Sequence, residues 1–212
     1  MLTARWLGSA AIGVAVLLPQ VPPSAPSGAP AQASKEAKVA TGQVGELLPQ
    51  ANPKIVRGDK TVDHDTTKYA KTTVYLLVGV KCPASKPYAD RLCALEQAYM
   101  PRGIDFIYIY PNIDETAEQK LRFHVKECRF TGAFWNDEGA AFAKKLAADH
   151  TGLAIIADKD GKVVYRGGID DKLAPLNKVK SKYLARALDE ILAGKAVTVS
   201  TNKDVFGCGV QM

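Results

Sequence analysis

The sequence predicts an α/β fold in which a mixed central sheet is flanked by helices, and two observations predict it. Short apolar, β-branched runs alternate along the chain with segments of helical periodicity, the pattern of strands joined by helical crossovers. Late in the chain two strand-like runs are separated only by Asp158-Lys159-Asp160-Gly161, whose Asp-Gly step marks a hairpin and adds an antiparallel edge to a largely parallel sheet.

Each element follows from its own residues. Residues 1–33 hold one positive charge in the first five positions, an apolar run from Trp6 to Leu18, and small residues ending at Ala31-Gln32-Ala33, the form of a cleaved signal peptide. The run is shorter than the ~20 residues a spanning helix needs, and an uncleaved N-terminal anchor is the competing reading. Residues 34–53 lack periodicity and read as a linker into a domain at 54–194. Thr73 to Gly79 is apolar without alternation, as in a strand buried on both faces. After Pro83 a helix places Tyr88, Leu92, Leu95 and Tyr99 on one face, and Pro101 and Gly103 end it.

Ile104 to Tyr110 is the next buried strand, and Thr116 to Lys126 a helix with Leu121, Val125 and Cys128 expected inward. Phe130 to Trp135 reads as a strand and Glu138 to Ala148 as a helix. Leu153 to Ala157 and Lys162 to Tyr165 form the hairpin. Ser181 to Ala193 is a helix with Leu184, Leu188, Ile191 and Leu192 inward and Gly194 as its stop. Residues 195–212 are an irregular tail carrying Cys208.

Charge excludes one class of partner. The chain has 28 Lys and Arg against 22 Asp and Glu, and loss of residues 1–33 would remove only Arg5. The basic residues are scattered among acids with no run suited to a nucleic-acid arm. Export would carry Cys82, Cys93, Cys128 and Cys208 into an oxidising space, where disulfides form and catalytic thiols need a dedicated reductant. No C-x-x-C spacing occurs and His64, His124 and His150 stand apart, so neither a metal nor an organic cofactor is implied.

Cys82 carries the chemistry. It lies between the end of a buried strand and the start of a helix, where free N–H groups and the helix dipole favour an anion. Thiol pKa values fall in such places, and Lys81 and Lys86 are expected to act in the same direction. Three positions on stands Ser85, so Cys82-Pro83-Ala84-Ser85 cannot close a disulfide within the motif, although the hydroxyl can donate to a thiolate. Buried apolar filler is the other use of a cysteine at a strand end, and it is the leading reading for Cys93 and Cys128, ahead of a disulfide between them.

The sequence resembles the exported thioredoxin-like redoxins, related to the alkyl hydroperoxide reductase and thiol-specific antioxidant group. The matching residues are Cys82-Pro83-Ala84-Ser85-Lys86-Pro87-Tyr88, Tyr110-Pro111-Asn112, Asp137, the stretch Asp158 to Gly167 with Ile169-Asp170-Asp171, and Phe206-Gly207-Cys208. The resemblance spans residues 55 to 210 and implies a thioredoxin-like fold, with Cys82 attacking and Cys208 as its partner on a tail free to approach or withdraw. Cys93, 11 residues along the same helical segment and about 16 Å away at 1.5 Å per residue, is out of reach of Cys82.

Thioredoxin-like proteins usually place a Thr-cis-Pro pair opposite the nucleophile. Here the aligned, substrate-facing loop is Thr151-Gly152, with His150 beside it as a proton shuttle or ion-pair partner for the thiolate. Typical peroxiredoxins carry Pro seven and Thr or Ser three residues before their cysteine, whereas this chain has Tyr75 and Gly79. Arg166 is expected to brace Asp170 or Asp171. The implied activity is thiol-disulfide exchange, on a protein or small-molecule disulfide, with an external thiol reductant. Peroxide reduction through the same cysteines and a redox-inactive binding module are the alternatives. Membrane contact arises only if the N-terminal segment stays uncleaved.

Overall fold

The computed structural model describes residues 41–68 and 70–212, so the signal-peptide reading of residues 1–33 lies outside the described residues. Seven strands form one sheet in the order β2-β1-β5-β4-β3-β6-β7: β1 (Lys54–Arg57), β2 (Lys60–Asp63), β3 (Thr73–Leu77), β4 (Asp105–Tyr110), β5 (Ala133–Asn136), β6 (Ala154–Ala157) and β7 (Val163–Gly167). Only β3–β4 and β4–β5 are parallel; the other four pairings are antiparallel. The sheet is mixed, as predicted, but less parallel than the alternation suggested. The chain enters β6 against the direction of β3, and the β1–β2 hairpin adds a second antiparallel edge.

Alternation along β3 and β4 sends side chains to two cores. Val74, Leu76, Phe106, Tyr108 and Tyr110 pack on one face with Tyr88, Leu92 and Tyr99 of α1 (Ser85–Tyr99) and Leu184 and Leu188 of α4 (Tyr183–Leu192). Tyr75, Leu77, Ile107 and Ile109 meet Phe142, Ala143 and Leu146 around α3 (Ala141–Lys145) on the other. Continuous apolar strands follow from this double burial. Gly103, in the left-handed region at φ +92°, stops the chain after α1 where Pro101 and Gly103 predicted an end.

The helix after β4 differs most from expectation. Thr116 caps α2 (Ala117–Arg122) reciprocally with Gln119, each accepting the other's backbone N–H. The next turn, Phe123–Glu127, is a π turn closed by Cys128 N–H donating to the Phe123 carbonyl at 2.8 Å. The phase predicted for this helix is corrected by the packing: Leu121 and Val125 are 36% and 45% exposed, while Lys120, Phe123 and His124 are buried. The Lys120 ammonium donates to Asn136 Oδ1 at 3.0 Å, and His124 bonds the Gly132 carbonyl and Tyr110 hydroxyl. Cys128 is buried as expected.

Residues 43–48 lie against the sheet edge. Gly45 N–H donates to the Val163 carbonyl at 2.9 Å, Val163 N–H to Glu46 at 2.8 Å, and Leu48 is buried in the second core. The described part of the expected linker is thus packed, because an edge strand offers it free backbone groups. Arg166 donates to the Leu146 carbonyl at 2.9 Å, while Arg91 takes Asp170 and the Lys180 N–H donates to Asp171 Oδ1, which corrects the expected brace from Arg166 to Asp170 or Asp171.

Candidate active site

Cys82 sits where β3 has ended and α1 has not begun. Val78 N–H donates to the Ile109 carbonyl at 2.8 Å, the backbone turns through Gly79, and Ser85 N–H donates to the Cys82 carbonyl at 3.0 Å. A Cβ on Gly79 would stand 2.7 Å from Asn112 Nδ2 and 3.4 Å from Cys82 Cβ, so the turn is packed too tightly for a side chain. Glu115 Oε1 accepts both the Lys81 N–H at 2.9 Å and Asn112 Nδ2 at 3.0 Å, fixing the residue before the cysteine.

The expected loop faces the sulfur. Thr151 Oγ1 donates to Cys82 Sγ at 3.2 Å, and Gly152 takes the left-handed backbone at φ +80°. The loop is also occupied. The tail runs antiparallel to it: Thr151 N–H donates to the Cys208 carbonyl at 2.9 Å, Cys208 N–H to Thr151 Oγ1 at 3.0 Å, and Val210 N–H to the Asp149 carbonyl at 2.8 Å. Added Cβ atoms would lie 1.7 Å from the Thr151 oxygen at Gly207 and 2.4 Å from the Phe206 oxygen at Gly152. Backbone meets backbone, which only glycine allows. Cys208 is therefore docked on the loop that faces Cys82 rather than loose.

Electrostatics separate the two thiols. Burial, with Cys82 only 4% exposed, acts to raise its pKa. Hydrogen bonds from the Thr151 hydroxyl, the Cys208 side chain and the backbone at Ala84 and Cys208 outweigh that and hold the Cys82 thiol below its ordinary value. The Cys208 thiol is raised, first by its hydrogen bond to Cys82 and then by burial and charge. Both are free thiols.

Four side chains expected to help Cys82 are engaged elsewhere. The Ser85 hydroxyl donates its one proton to the Gly79 carbonyl at 2.7 Å, which leaves none for Cys82. Lys81 Nζ is 2.8 Å from Asp114 Oδ2 and Lys86 Nζ is 3.0 Å from Glu127, each drawn to a carboxylate. The His150 imidazole pairs with Asp149 at 3.0 Å, and only its backbone joins the tail, in a bridge with Gly209. Thiolate support comes from Thr151, read in the sequence only as a loop residue. Asn112 enters the sequence reading only through the Tyr110-Pro111-Asn112 match and Glu115 not at all; Asn112 Oδ1 also accepts Gln211 N–H at 3.1 Å. An asparagine and a glutamate placed just past a buried strand were the available signal.

An apolar cavity of about 10 Å³ lies beneath Cys82, lined in part by Leu76, Tyr88, Leu92, Phe130 and Phe206. That is about the space of one water, so a disulfide cannot enter it. Among the described residues no group of three or more His, Cys, Asp or Glu could hold a metal ion, and no helix is long and apolar enough to cross a membrane.

No protein-family model matches the chain, and no curated protein matches it. Solved structures do. An uncharacterized conserved protein from Geobacillus kaustophilus is 28% identical with a TM-score of 0.67, over 81% of this chain and 93% of that one. A hypothetical protein from Sinorhizobium meliloti is 20% identical with a TM-score of 0.66, over 79% and 93%. The thioredoxin domain of a thiol-disulfide oxidoreductase from Bacteroides vulgatus is 13% identical with a TM-score of 0.50, over 58% and 87%. The chain has a thioredoxin-like fold, as the resemblance implied.

Proposed function

We propose that the protein is an exported thiol-disulfide oxidoreductase in which Cys82 is the nucleophile and Cys208 resolves. The observation that carries this reading is the direct facing of two free thiols with opposite pKa shifts, one at a strand-to-helix junction and one on a docked tail. The Cys82 thiolate attacks one sulfur of a substrate disulfide; a Cys82–substrate bond forms and the substrate's second sulfur leaves with the electron pair. Cys208 then loses its proton and attacks the Cys82 sulfur. A Cys82–Cys208 bond forms, the remaining substrate thiolate leaves, and two electrons have passed from protein to substrate. An external thiol reductant reopens the pair. Export rests on the pattern of residues 1–33.

Peroxide reduction has less support. Gly79 offers no hydroxyl three residues before Cys82, and Tyr75 packs in the other core with its hydroxyl 3.0 Å from His64 Nε2.

A tryptic mass map under non-reducing conditions, before and after a mild dithiol, tests the proposal, since cleavage sites place the four cysteines on separate peptides. The expected result is a Cys82–Cys208 cross-link that the dithiol opens ahead of any other. A reduction-resistant link from Cys208 to Cys93 or Cys128 would overturn it.

A further inference from the structure

The tail can serve Cys82 only if it leaves and returns. Cys82 is 4% exposed, and with residues 207–211 on the 149–151 loop the Cys208 side chain is hydrogen-bonded to its sulfur, so the tail stands where an external sulfur would have to come in. The pairing there must open in each cycle, so what brings Cys208 back is the anchorage of the chain just before it.

That anchorage is built. Asn202 Oδ1 accepts the N–H of Gly168 at 2.9 Å and of Asp204 at 3.2 Å, while its Nδ2 donates to the Tyr165 hydroxyl at 2.8 Å. Tyr165 is fully buried and its hydroxyl in turn donates to the Gly168 carbonyl. Two residues on, Asp204 Oδ2 accepts the Tyr183 hydroxyl of α4 at 2.7 Å. A Cβ on Gly168 would stand 1.8 Å from the Asp204 oxygen, so the chain is pressed onto β7's end at this point. None of these groups touches Cys82.

We propose, resting on the reading of Cys208 as the resolving thiol, that Asn202 and Asp204 are positioning residues: their turn is a fixed clasp from which the Cys208 segment swings, and it sets the rate of the second exchange step. From Asp204 to Cys208 the tether is four residues; without the clasp the next anchor is the Arg166–Thr201 bridge, in which the Ser200 carbonyl accepts Arg166 N–H at 2.9 Å, seven to eight residues from Cys208. Doubling a flexible tether lowers effective concentration by about threefold on the −3/2 power of its length.

The experiment uses the reduced protein in excess over the aromatic disulfide 5,5′-dithiobis(2-nitrobenzoate), with the adduct located on its tryptic peptide. Cys82 breaks the reagent's S–S bond, forms Cys82–S and releases one thionitrobenzoate. Cys208 then forms the Cys82–Cys208 bond and releases the second, so the dithiol is oxidised and the reagent reduced by two electrons. In Asn202→Ala/Asp204→Ala the ratio of second-step to first-step rates is expected to fall about threefold, with the first step unchanged or faster as the cover loosens. A purely structural role would slow both steps or neither. A fall of twofold or more upholds the clasp, and a smaller change overturns it.

Tyr183→Phe removes one clasp hydrogen bond and no packing, and serves if the double variant does not fold: Asn202, six residues from Cys208, is then the anchor, so the ratio is expected to fall by just under twofold, and an unchanged ratio overturns the clasp. A native protein that releases the first thionitrobenzoate from Cys82 and never the second overturns instead the reading of Cys208, and the clasp with it.

Discussion

The molecule holds two cysteine pairs in opposite environments. Cys82 and Cys128 are almost equally hidden, at 4% and 2% exposure, yet the first thiol is held below its ordinary pKa and the second is pushed up to about 12. Burial acts to raise both. Around Cys82 it is opposed by the Thr151 hydroxyl, the Cys208 side chain and two backbone contributions; around Cys128 it is reinforced by the charges of Cys93 and Glu127, with only Lys86 opposing among the nearer groups. Cys93 donates its proton to the Cys128 carbonyl at 3.3 Å and is itself raised by burial and by Glu96 and Asp90. Depth in the protein does not decide whether a cysteine is reactive; the donors aimed at the sulfur do.

The contrast is most exposed to failure in alkylation. Iodoacetamide added to the native reduced protein at pH 7, with peptide mapping over time, is expected to modify Cys82 roughly a thousandfold or more faster than Cys128, since the thiolate is the reacting form. Cys93, half-buried with a raised pKa, should be slow as well. Modification of Cys128 before Cys82 would reverse the assignment of the two environments.

The Cys128 side makes a second prediction, on stability. His124, packed against Tyr108, Phe130 and Phe134, has its pKa lowered to about 4 by burial, against a smaller opposing effect of its bond to the Gly132 carbonyl. Its folded pKa lies below the unfolded value of 6.5, so between these the unfolded chain binds the extra proton. Stability is whole above about pH 6.5, falls as pH drops toward 4, and the loss is complete below that, amounting to about 3 kcal/mol. Urea midpoints of the wild type and His124→Gln at pH 7, 5 and 4 check this. The variant should have the flatter profile; parallel profiles would remove His124 as the cause.

What the sequence discloses follows the same division. β3 and β4 are legible because strands buried on both faces must be continuous apolar runs, and the β6–β7 turn because Asp158 accepts the N–H groups of Asp160 and Lys162 around Gly161. Cys82 is legible from its junction. The β1–β2 hairpin is not, since Lys54–Arg57 and Lys60–Asp63 are four residues each with three apolar side chains between them. Leu121 and Val125 mislead because the inward face is the one beside theirs, where Lys120 and His124 are buried on hydrogen bonds that hydropathy does not encode. Ser85 and Lys81 lie beside Cys82 along the chain, but hydropathy and spacing do not encode direction: a carbonyl and a carboxylate next to them take their protons. Tail docking was hidden because glycine-to-backbone contacts leave no apolar signature.

Those glycine contacts allow a smaller, targeted disturbance of the Cys82 side alone. In Gly207→Ala the new methyl would meet the Thr151 carbonyl, so the tail must shift away from the loop. The second thionitrobenzoate release is expected to slow on the order of tenfold to a hundredfold, because sub-ångström placement governs exchange between held groups. Hydrogen exchange at the Thr151 and Cys208 amides should quicken in parallel. Unchanged exchange at both would mean that the tail is not held by this pairing.

Thr151→Val isolates the hydroxyl itself. It retains the Thr151 N–H that donates to the Cys208 carbonyl, while removing the donor to Cys82 Sγ and the acceptor of Cys208 N–H. A hydrogen bond to a charged group contributes about 1.5–3 kcal/mol, so the thiolate fraction, and with it the first release at pH 6, should fall about tenfold or more. The difference should shrink as pH rises through the Cys82 titration, because above it the thiolate forms without help and an unbonded thiolate is the stronger nucleophile. A rate reduced equally at every pH would assign Thr151 to holding the tail, and would leave Cys208 and the backbone N–H groups as the donors that distinguish Cys82 from Cys128.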